Sequence, residues 1–225
     1  EALSIYERLA TTCPDTFKPK LAETLNFCAN LYADTQRLDE AEAYYLRALE
    51  IRKQLADSYL ETYEPDLAKT MNSIAVFYSD TQRFNEAEAY HLGALDIRER
   101  LASSNPKVYE FDLYITLNNL ATLYDDKGLY NQAETYHLRA LEIRERLANS
   151  NPEAYEYDLT ITLNNLGILY SNMQRYAQAE EYHLRALEIR KRLAKAHPEA
   201  YESDLAISWH NLAGVYSDTQ RFDEA

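Results

Sequence analysis

The sequence has few residues that interrupt helices and few that build chemical sites. Only four glycines and six prolines occur in 225 residues, which argues against a loop-rich fold and leaves no glycine-rich loop for a phosphate. The two cysteines, Cys13 and Cys28, form no disulfide framework, so we expect a reducing, cytoplasmic environment. No apolar run approaches the ~20 residues of a membrane span, and no signal peptide is visible. Because the sequence begins with Glu1 rather than Met, we expect an excerpt of a longer chain.

Basic residues are scarce relative to acidic ones. The chain has 23 Lys and Arg against 37 Asp and Glu, a formal net charge of −14. A surface of this sign repels phosphate backbones, so nucleic acid is not an expected partner. Solvated charge of this kind mainly keeps a protein soluble and favours basic or neutral partners only weakly.

What the sequence does have is repetition with a period of 46 residues. One tyrosine recurs at Tyr32, Tyr78, Tyr124, Tyr170 and Tyr216. One alanine recurs at Ala41, Ala87, Ala133, Ala179 and Ala225. Since no insertion breaks this spacing, we interpret residues 1–225 as one array of stacked units. The expected segments are the end of a preceding second helix with its connector (1–18), four repeats (19–64, 65–110, 111–156 and 157–202) and a partial fifth repeat (203–225).

Each unit is predicted to contain two helices. In the fourth unit Leu163, Leu166, Gly167 and Tyr170 follow the i, i+3, i+4, i+7 pattern of one helical face. This first helix, helix A, is expected to begin near a proline (Pro19, Pro65) or an N-cap (Ser203). The second, helix B, is expected to open with a capping box, formed by Asp39, Asn85 or Asn131 with a glutamate three residues later (Glu42, Glu88, Glu134). The connector "NPEAYE" is predicted to form a short extra turn capped by Asn151.

The recurring residue types resemble the tetratricopeptide repeat. The third unit matches that family's pattern with Leu117, Leu120, Ala121, Tyr124, Gly128, Tyr130, Ala133, His137 and Ala140. The period is longer than the family's usual 34 residues, and the turn glycine is replaced in the other four units by Gln36, Gln82, Gln174 and Gln220. The longer unit, with "LNNLA" and "RALEIR", is similar to the repeats of kinesin light chains and nephrocystin-like proteins.

The resemblance implies an all-α fold, a right-handed superhelical α-solenoid of antiparallel helix pairs. It also implies a non-catalytic scaffold that binds a protein or peptide in the groove lined by helices A, without a cofactor. Two other hypotheses stay open. The chain could be a structural arm that associates end to end with other copies, or a sensor or regulatory module of a larger multidomain protein.

Two neighbouring polar positions of helix A are candidates for the groove surface. At 100° per residue both point away from the face that packs on helix B. The first recurs as Asn26, Asn72, Asn118, Asn164 and His210. The second is asparagine in the last three units, at Asn119, Asn165 and Asn211. An amide both donates and accepts, so this ladder suits the backbone of an extended peptide. Equally, the amides could bond between neighbouring helices and fix the stacking.

Apolar and acidic residues flank the amides. The centre of the groove is Glu23 and Lys69 in the first two units but isoleucine in the last three, at Ile115, Ile161 and Ile207. Exposed isoleucines in a row suggest an apolar ligand stretch, unless a connector tyrosine (Tyr109, Tyr155 or Tyr201) folds over them. The groove lip carries an acidic row that could attract a basic flank but is more often simply solvated: Asp34, Asp80, Asp126, Asn172 and Asp218.

Two other chemistries are not supported. A clamp for a C-terminal carboxylate, as in other tetratricopeptide repeats, would need basic residues at inner positions, and only the isolated Lys69 is basic there. His91, His137 and His183 recur every 46 residues in helices about 10 Å apart, too far to share a metal ion at ~2 Å. We therefore expect them to pack in place of Tyr45, and we interpret "LRALEIRERLA" as a solvated helix face with i, i+4 charge pairs.

Overall fold

The computed structural model describes residues 1–225 and consists of ten helices without a strand. Nine of the ten helices have 21 residues. None of them has both the length and the hydrophobicity that crossing a membrane requires. The helices are α1 Ala2–Thr12, α2 Pro14–Asp34, α3 Leu38–Ser58, α4 Leu60–Asp80, α5 Phe84–Ser104, α6 Pro106–Asp126, α7 Tyr130–Ser150, α8 Pro152–Asn172, α9 Tyr176–Ala196 and α10 Pro198–Asp218.

Consecutive helices pack on one another in two compact units, Glu1–Thr116 and Leu117–Ala225. In the first unit α2 packs on α3, and α4 packs on both α3 and α5. In the second unit α8 packs on both α7 and α9, and α10 packs on α9. Helices α2, α4, α6, α8 and α10 are the A helices of the sequence pattern, and the odd-numbered helices are the B helices. The predicted all-α solenoid of stacked helix pairs is thereby confirmed.

The predicted start of helix A is wrong by about five residues. Helices α2 and α4 begin at Pro14 and Leu60, so Pro19 and Pro65 lie inside them. A single residue, Tyr59, separates α3 from α4, and there is no separate connector turn. Asn151 does cap a helix, since its side chain accepts a hydrogen bond from the Ala154 amide, but that helix is α8 itself.

The turn between helix A and helix B uses a left-handed residue. Gln36, Gln82, Gln174 and Gln220 have φ near +60°, and Gly128 takes the same conformation in the third repeat. In the first repeat the amide of Arg37 donates to the carbonyl of Tyr32 at 2.8 Å, which closes the helix end as in a Schellman motif. Left-handed backbone costs a residue with a Cβ about 1 kcal/mol, so four of the five turns carry strain that glycine avoids.

One arginine is buried in each of the helices α3, α5, α7 and α9, contrary to the interpretation of "LRALEIRERLA" as a solvated face. Arg52, Arg98, Arg144 and Arg190 are 4–7% exposed. Arg52 pairs with Asp66 at 2.5 Å, and Arg190 donates to the carbonyl of Asp204 at 3.0 Å. Each arginine therefore holds the following helix A. The i, i+4 pairs exist on the outer side, as between Arg146 and Glu142 at 2.8 Å.

The predicted capping boxes are wrong because their glutamates bind the next repeat instead. Helix B begins one residue before the expected cap, and its N-cap residue makes no side-chain bond. Glu134 accepts from the Tyr170 hydroxyl at 2.7 Å and from Arg175 at 2.9 Å. Glu42 accepts in the same way from Tyr78 and Arg83. Burial alone would raise the pKa of Glu42, but these hydrogen bonds hold it below the ordinary value.

We expect Gln82→Gly to stabilise the protein by about 1 kcal/mol, because glycine adopts φ near +60° without strain. Gln54→Gly, in the interior of α3, is the matched control and should cost about 1 kcal/mol. Urea unfolding followed by circular dichroism measures both changes. Equal destabilisation by the two substitutions would contradict the assignment of strain to the turn.

Glu134→Ala should destabilise the second unit by about 2 kcal/mol, since it removes charge-assisted bonds from Tyr170 and Arg175. Glu142→Ala removes only the i, i+4 pair with Arg146, whose partners are largely exposed, and should cost less than about 0.5 kcal/mol. Urea unfolding of the two variants gives the comparison. Similar losses in both would show that Glu134 contributes no more than a surface pair.

Candidate functional site

Helix α8 presents a narrow mixed stripe to solvent. Ile161 and Ile168 are 37% and 41% exposed, and the amides of Asn164 and Asn165 lie half-buried between them. These four positions follow the i, i+3, i+4, i+7 spacing, so they share one face. The face towards α9 is fully buried at Leu163 and Leu166. We call the stripe and its equivalents in the other A helices the amide face.

The structure places the other predicted residues on the same stripe of their own helices. In the first unit Asn26, Asn72 and Ile115 are half-buried. In the second unit Asn118, Asn119 and Asn211 are half-buried, while Ile207 and His210 are exposed. Ile161 and Ile207 remain exposed, so no tyrosine covers them. Each helix thus carries the amides where its periodicity predicts them.

Several amides already have partners within the protein. Asn72 Oδ1 lies 3.2 Å from Nδ1 of His91, on helix B of the same repeat. Asn211 Nδ2 donates to Asn164 Oδ1 at 2.6 Å, between α10 and α8. By contrast, the buried Oδ1 atoms of Asn26 and Asn118 have no hydrogen-bond partner. The amide face therefore takes part in packing within and between repeats.

A cavity of about 210 Å³ opens on the amide face of the second unit. Helix α8 supplies Ile168 and Ser171, helix α9 supplies His183, and the rest of the wall comes from α10. The α10 residues are His210, Asn211, Gly214, Val215 and Asp218. His183 and Gly214 were not predicted as site residues. A signal existed in the sequence, because Gly214 occupies the position of Ile168 one repeat later.

A second cavity, of about 550 Å³, lies in the first unit at the C-terminal ends of α2 and α4. Asp34 and Asp80 of the acidic row line it, with Phe77 as an apolar wall. Burial raises the pKa of Asp80. Burial, reinforced by both carboxylates, raises the pKa of the nearby Tyr45 to about 12. Two residues of the acidic row therefore border a recess and are not only solvated charge.

The three recurring histidines are buried and uncharged. His91, His137 and His183 are 1–2% exposed at the position that Tyr45 holds in the first repeat, as their predicted packing role requires. Burial lowers the pKa of each to about 4, and the nearby Arg98 and Arg190 contribute for His91 and His183. Each neutral ring is a hydrogen-bonding group in an apolar setting.

With this geometry established, sequence comparison assigns the family. The family model described as Tetratricopeptide repeat matches residues 21–58, 67–106, 115–153 and 160–199, well over half of the chain. The chain belongs to the tetratricopeptide repeat family. Each match begins within a helix A and ends at or just beyond the end of helix B. No curated protein matches the sequence.

Solved structures of tetratricopeptide repeats share the fold. BtubC (BKLC) from P. vanneervenii is 27% identical, with a TM-score of 0.78 over 100% of this chain and 82% of that one. A putative kinesin light chain with TPR-like repeats from Podosopora anserina is 18% identical, with a TM-score of 0.71 over 92% of this chain and 90% of that one. The Rap conjugation gene regulator of the plasmid pLS20, in complex with the Phr* peptide, is 14% identical, with a TM-score of 0.53 over 87% of this chain and 53% of that one.

Buried histidines make the stability of these tetratricopeptide repeats depend on pH. His91 has a pKa of about 4 in the folded state against 6.5 in the unfolded chain, so the unfolded state binds more protons between these values. Its contribution is therefore complete above pH 6.5 and is lost as pH falls towards 4. We expect His91→Tyr, which copies Tyr45, to reduce the difference in unfolding free energy between pH 7 and pH 5 by on the order of 1–2 kcal/mol.

Urea unfolding at the two pH values measures this difference. His197→Tyr is the control for the substitution itself, because His197 is exposed at the N-cap of α10. A His91→Tyr variant with the wild-type pH dependence would contradict the buried neutral histidine.

Proposed function

We propose that this protein is a non-catalytic interaction module that binds an extended peptide segment along the amide face of its A helices. The observation that carries the proposal is the composition of the exposed stripe on α8. Two exposed isoleucines, Ile161 and Ile168, flank the half-buried amides of Asn164 and Asn165 there. A stripe used only for solubility would carry charged residues at these positions.

The combination of amides and isoleucines on the amide face suits an extended peptide. A peptide in extended conformation presents backbone N–H and C=O groups at regular intervals, and amide side chains can bond to both. The isoleucines offer apolar area that a side chain of the ligand can cover, at about 25 cal/mol per Å². Such a surface recognises backbone generally and apolar side chains locally.

One solved structure with the same fold supports a peptide ligand, and this support rests on the shared fold alone. The Rap conjugation gene regulator shares the fold and is described in complex with a peptide. The acidic row adds a preference for ligands with a basic flank, because Asp34 and Asp80 border one recess and the chain carries a net charge of −14.

A second candidate role is structural. The bond between Asn211 and Asn164 joins neighbouring repeats, which is what a stacking role requires of the amides. In that case the chain would act as an arm of a larger assembly, or associate end to end, and the amide face would bind no ligand.

Selection from a random peptide library tests the binding proposal. We expect wild-type protein to enrich peptides that bind at least about tenfold more weakly to Ile161→Ser/Ile168→Ser, since that variant loses apolar area worth more than ~1.4 kcal/mol. Leu184→Ser is the matched control, because Leu184 is 38% exposed on helix α9 of the same repeat. It should bind the selected peptides as the wild type does.

Asn118→Ala/Asn164→Ala separates the two roles of the amides. If they bind ligand backbone, peptide affinity falls, whatever the loss of the Asn211–Asn164 bond does to the unfolding midpoint. If affinity holds and the midpoint falls, the ladder is structural. Failure of the wild type to enrich any peptide would overturn the proposed function.

A further inference from the structure

The inner asparagine of four A helices turns its carbonyl oxygen into the protein. The four inner asparagines are Asn26 on α2, Asn72 on α4, Asn118 on α6 and Asn164 on α8. The Oδ1 atoms of Asn26 and Asn118 are buried without a hydrogen-bond partner, so a ligand on the surface cannot reach them. Oδ1 of Asn72 lies 3.2 Å from Nδ1 of His91. At these positions the acceptor of the amide is already covered or engaged within the protein.

The amino group is the part of these amides that a ligand can reach. The inner asparagines are half-buried, so part of each side chain is exposed. Since Oδ1 of Asn26 and Asn118 is covered, the exposed polar group of those two side chains is Nδ2. Oδ1 of Asn164 accepts from Nδ2 of Asn211 at 2.6 Å, which leaves Nδ2 of Asn164 for a ligand. An amide can donate and accept, but these positions leave only the donor at the surface.

Neighbouring groups oppose the reversed orientation of each amide. If the Asn164 amide were turned end for end, its amino group would meet the amino group of Asn211, and the bond between the two repeats would be lost. The same change at Asn26 or Asn118 would bury two N–H donors in place of one acceptor oxygen. In proteins, buried N–H groups without a partner are rarer than under-satisfied C=O groups. The donor therefore stays at the surface when a ligand binds.

Surface donors select carbonyl oxygens and make no use of the N–H groups of a ligand. Proline supplies a backbone carbonyl but has no backbone N–H, so a proline against the inner asparagines leaves no donor of its own unsatisfied. A polyproline II helix has no internal hydrogen bonds, and its solvated carbonyls are available to the Nδ2 groups. Its prolyl rings are apolar and can cover the exposed Ile161 and Ile168. Because this helix is already formed in the free ligand, binding costs it little entropy.

We propose that the inner asparagines act only as donors, and that the ligand of the amide face is a proline-rich segment whose carbonyl oxygens accept from them. The proposal rests on the proposed function and names the class of peptide that the amide face selects. In the second unit Asn118 and Asn164 supply the donors, and Ile161 and Ile168 supply the apolar contact. Carboxylate oxygens could also accept, but the net charge of −14 disfavours an acidic segment.

Two libraries of nine-residue peptides test the proposal with the whole protein. One library is random, and the other has proline fixed at every third position, the period of a polyproline II helix. We expect the proline library to yield the tighter peptides. N-methylation of a residue between the prolines removes one N–H and keeps every carbonyl, so the affinity of a selected peptide should stay within about tenfold.

Asn164→Asp is the decisive variant. Its carboxylate keeps an oxygen for Asn211 and puts an acceptor in place of the outward donor, so the affinity for selected peptides should fall more than about tenfold. Asn149→Asp is the matched control, because it makes the same substitution at an exposed site on α7, away from the amide face. It should bind the selected peptides as the wild type does.

A measurement on the wild type decides the question if Asn164→Asp fails to fold. The ¹H–¹⁵N signals of the Asn164 amino group should shift downfield when a selected peptide binds, because its N–H groups then donate to a carbonyl. No shift of these signals at saturation would overturn the donor role.

Three results with folded variants would also overturn the donor role. They are a loss of more than about tenfold on N-methylation, equal losses in Asn164→Asp and Asn149→Asp, or enrichment of the random library without the proline library. Each can occur while the selected peptides still depend on Ile161 and Ile168, so failure of the donor role is distinguishable from failure of the proposed function. If neither library yields a ligand, both proposals are overturned.

Discussion

The bonds made by the buried arginines of α3, α5, α7 and α9 are the interaction on which the stacking depends. The charge of each arginine is removed from water, which lowers the pKa of Arg98 and Arg190, and that desolvation must be offset by fixed partners. The partners come from the next helix A, as Asp66 does for Arg52 and Ser208 for Arg190. A shift by one residue would leave the guanidinium unpaired, so the arginine sets the register of the following helix at about its third turn.

A second set of bonds fixes the other end of the same helix. Tyr170 in the last turn of α8 donates to Glu134, and Arg175 reaches the same carboxylate across the turn. Arg175 also lies 4.7 Å over the Tyr170 ring. Since helix A is held at both ends and packed against helix B along its length, only one narrow stripe is left exposed. That stripe is the amide face, and because its helix is already fixed, the protein itself would lose little conformational entropy on binding a ligand there.

Much of this fold could be predicted from the sequence. The 46-residue repeat has no insertions, and the apolar residues within a repeat recur with the 3.6-residue period of a helix. The exposed stripe could be predicted too, since helical geometry alone separates Asn164 from Leu163. The start of helix A could not, because Pro19 and Pro65 suggest a boundary while packing carries α2 and α4 through them. The roles of Glu134 and Arg190 could not be predicted from the sequence either. Their partners lie in another repeat, although Asp66, Asp112, Asp158 and Asp204 recur with the same period as the arginines.

The cavity of the second unit lies where one repeat differs from its neighbours, a difference that the 46-residue pattern alone does not indicate. Identical units would create identical junctions. A peptide would then have the same affinity for such an array in every register. Specificity must come from positions where one unit departs from its neighbours. Gly167 and Gly214 are two such departures, because every other repeat carries a side chain at the equivalent position. Gly214 lines the cavity that His183 also lines, and Gly167 lies against the ring of the same histidine. Under the proposed function the amides would bind the backbone of any extended chain, so a preferred register would have to come from such departures between repeats.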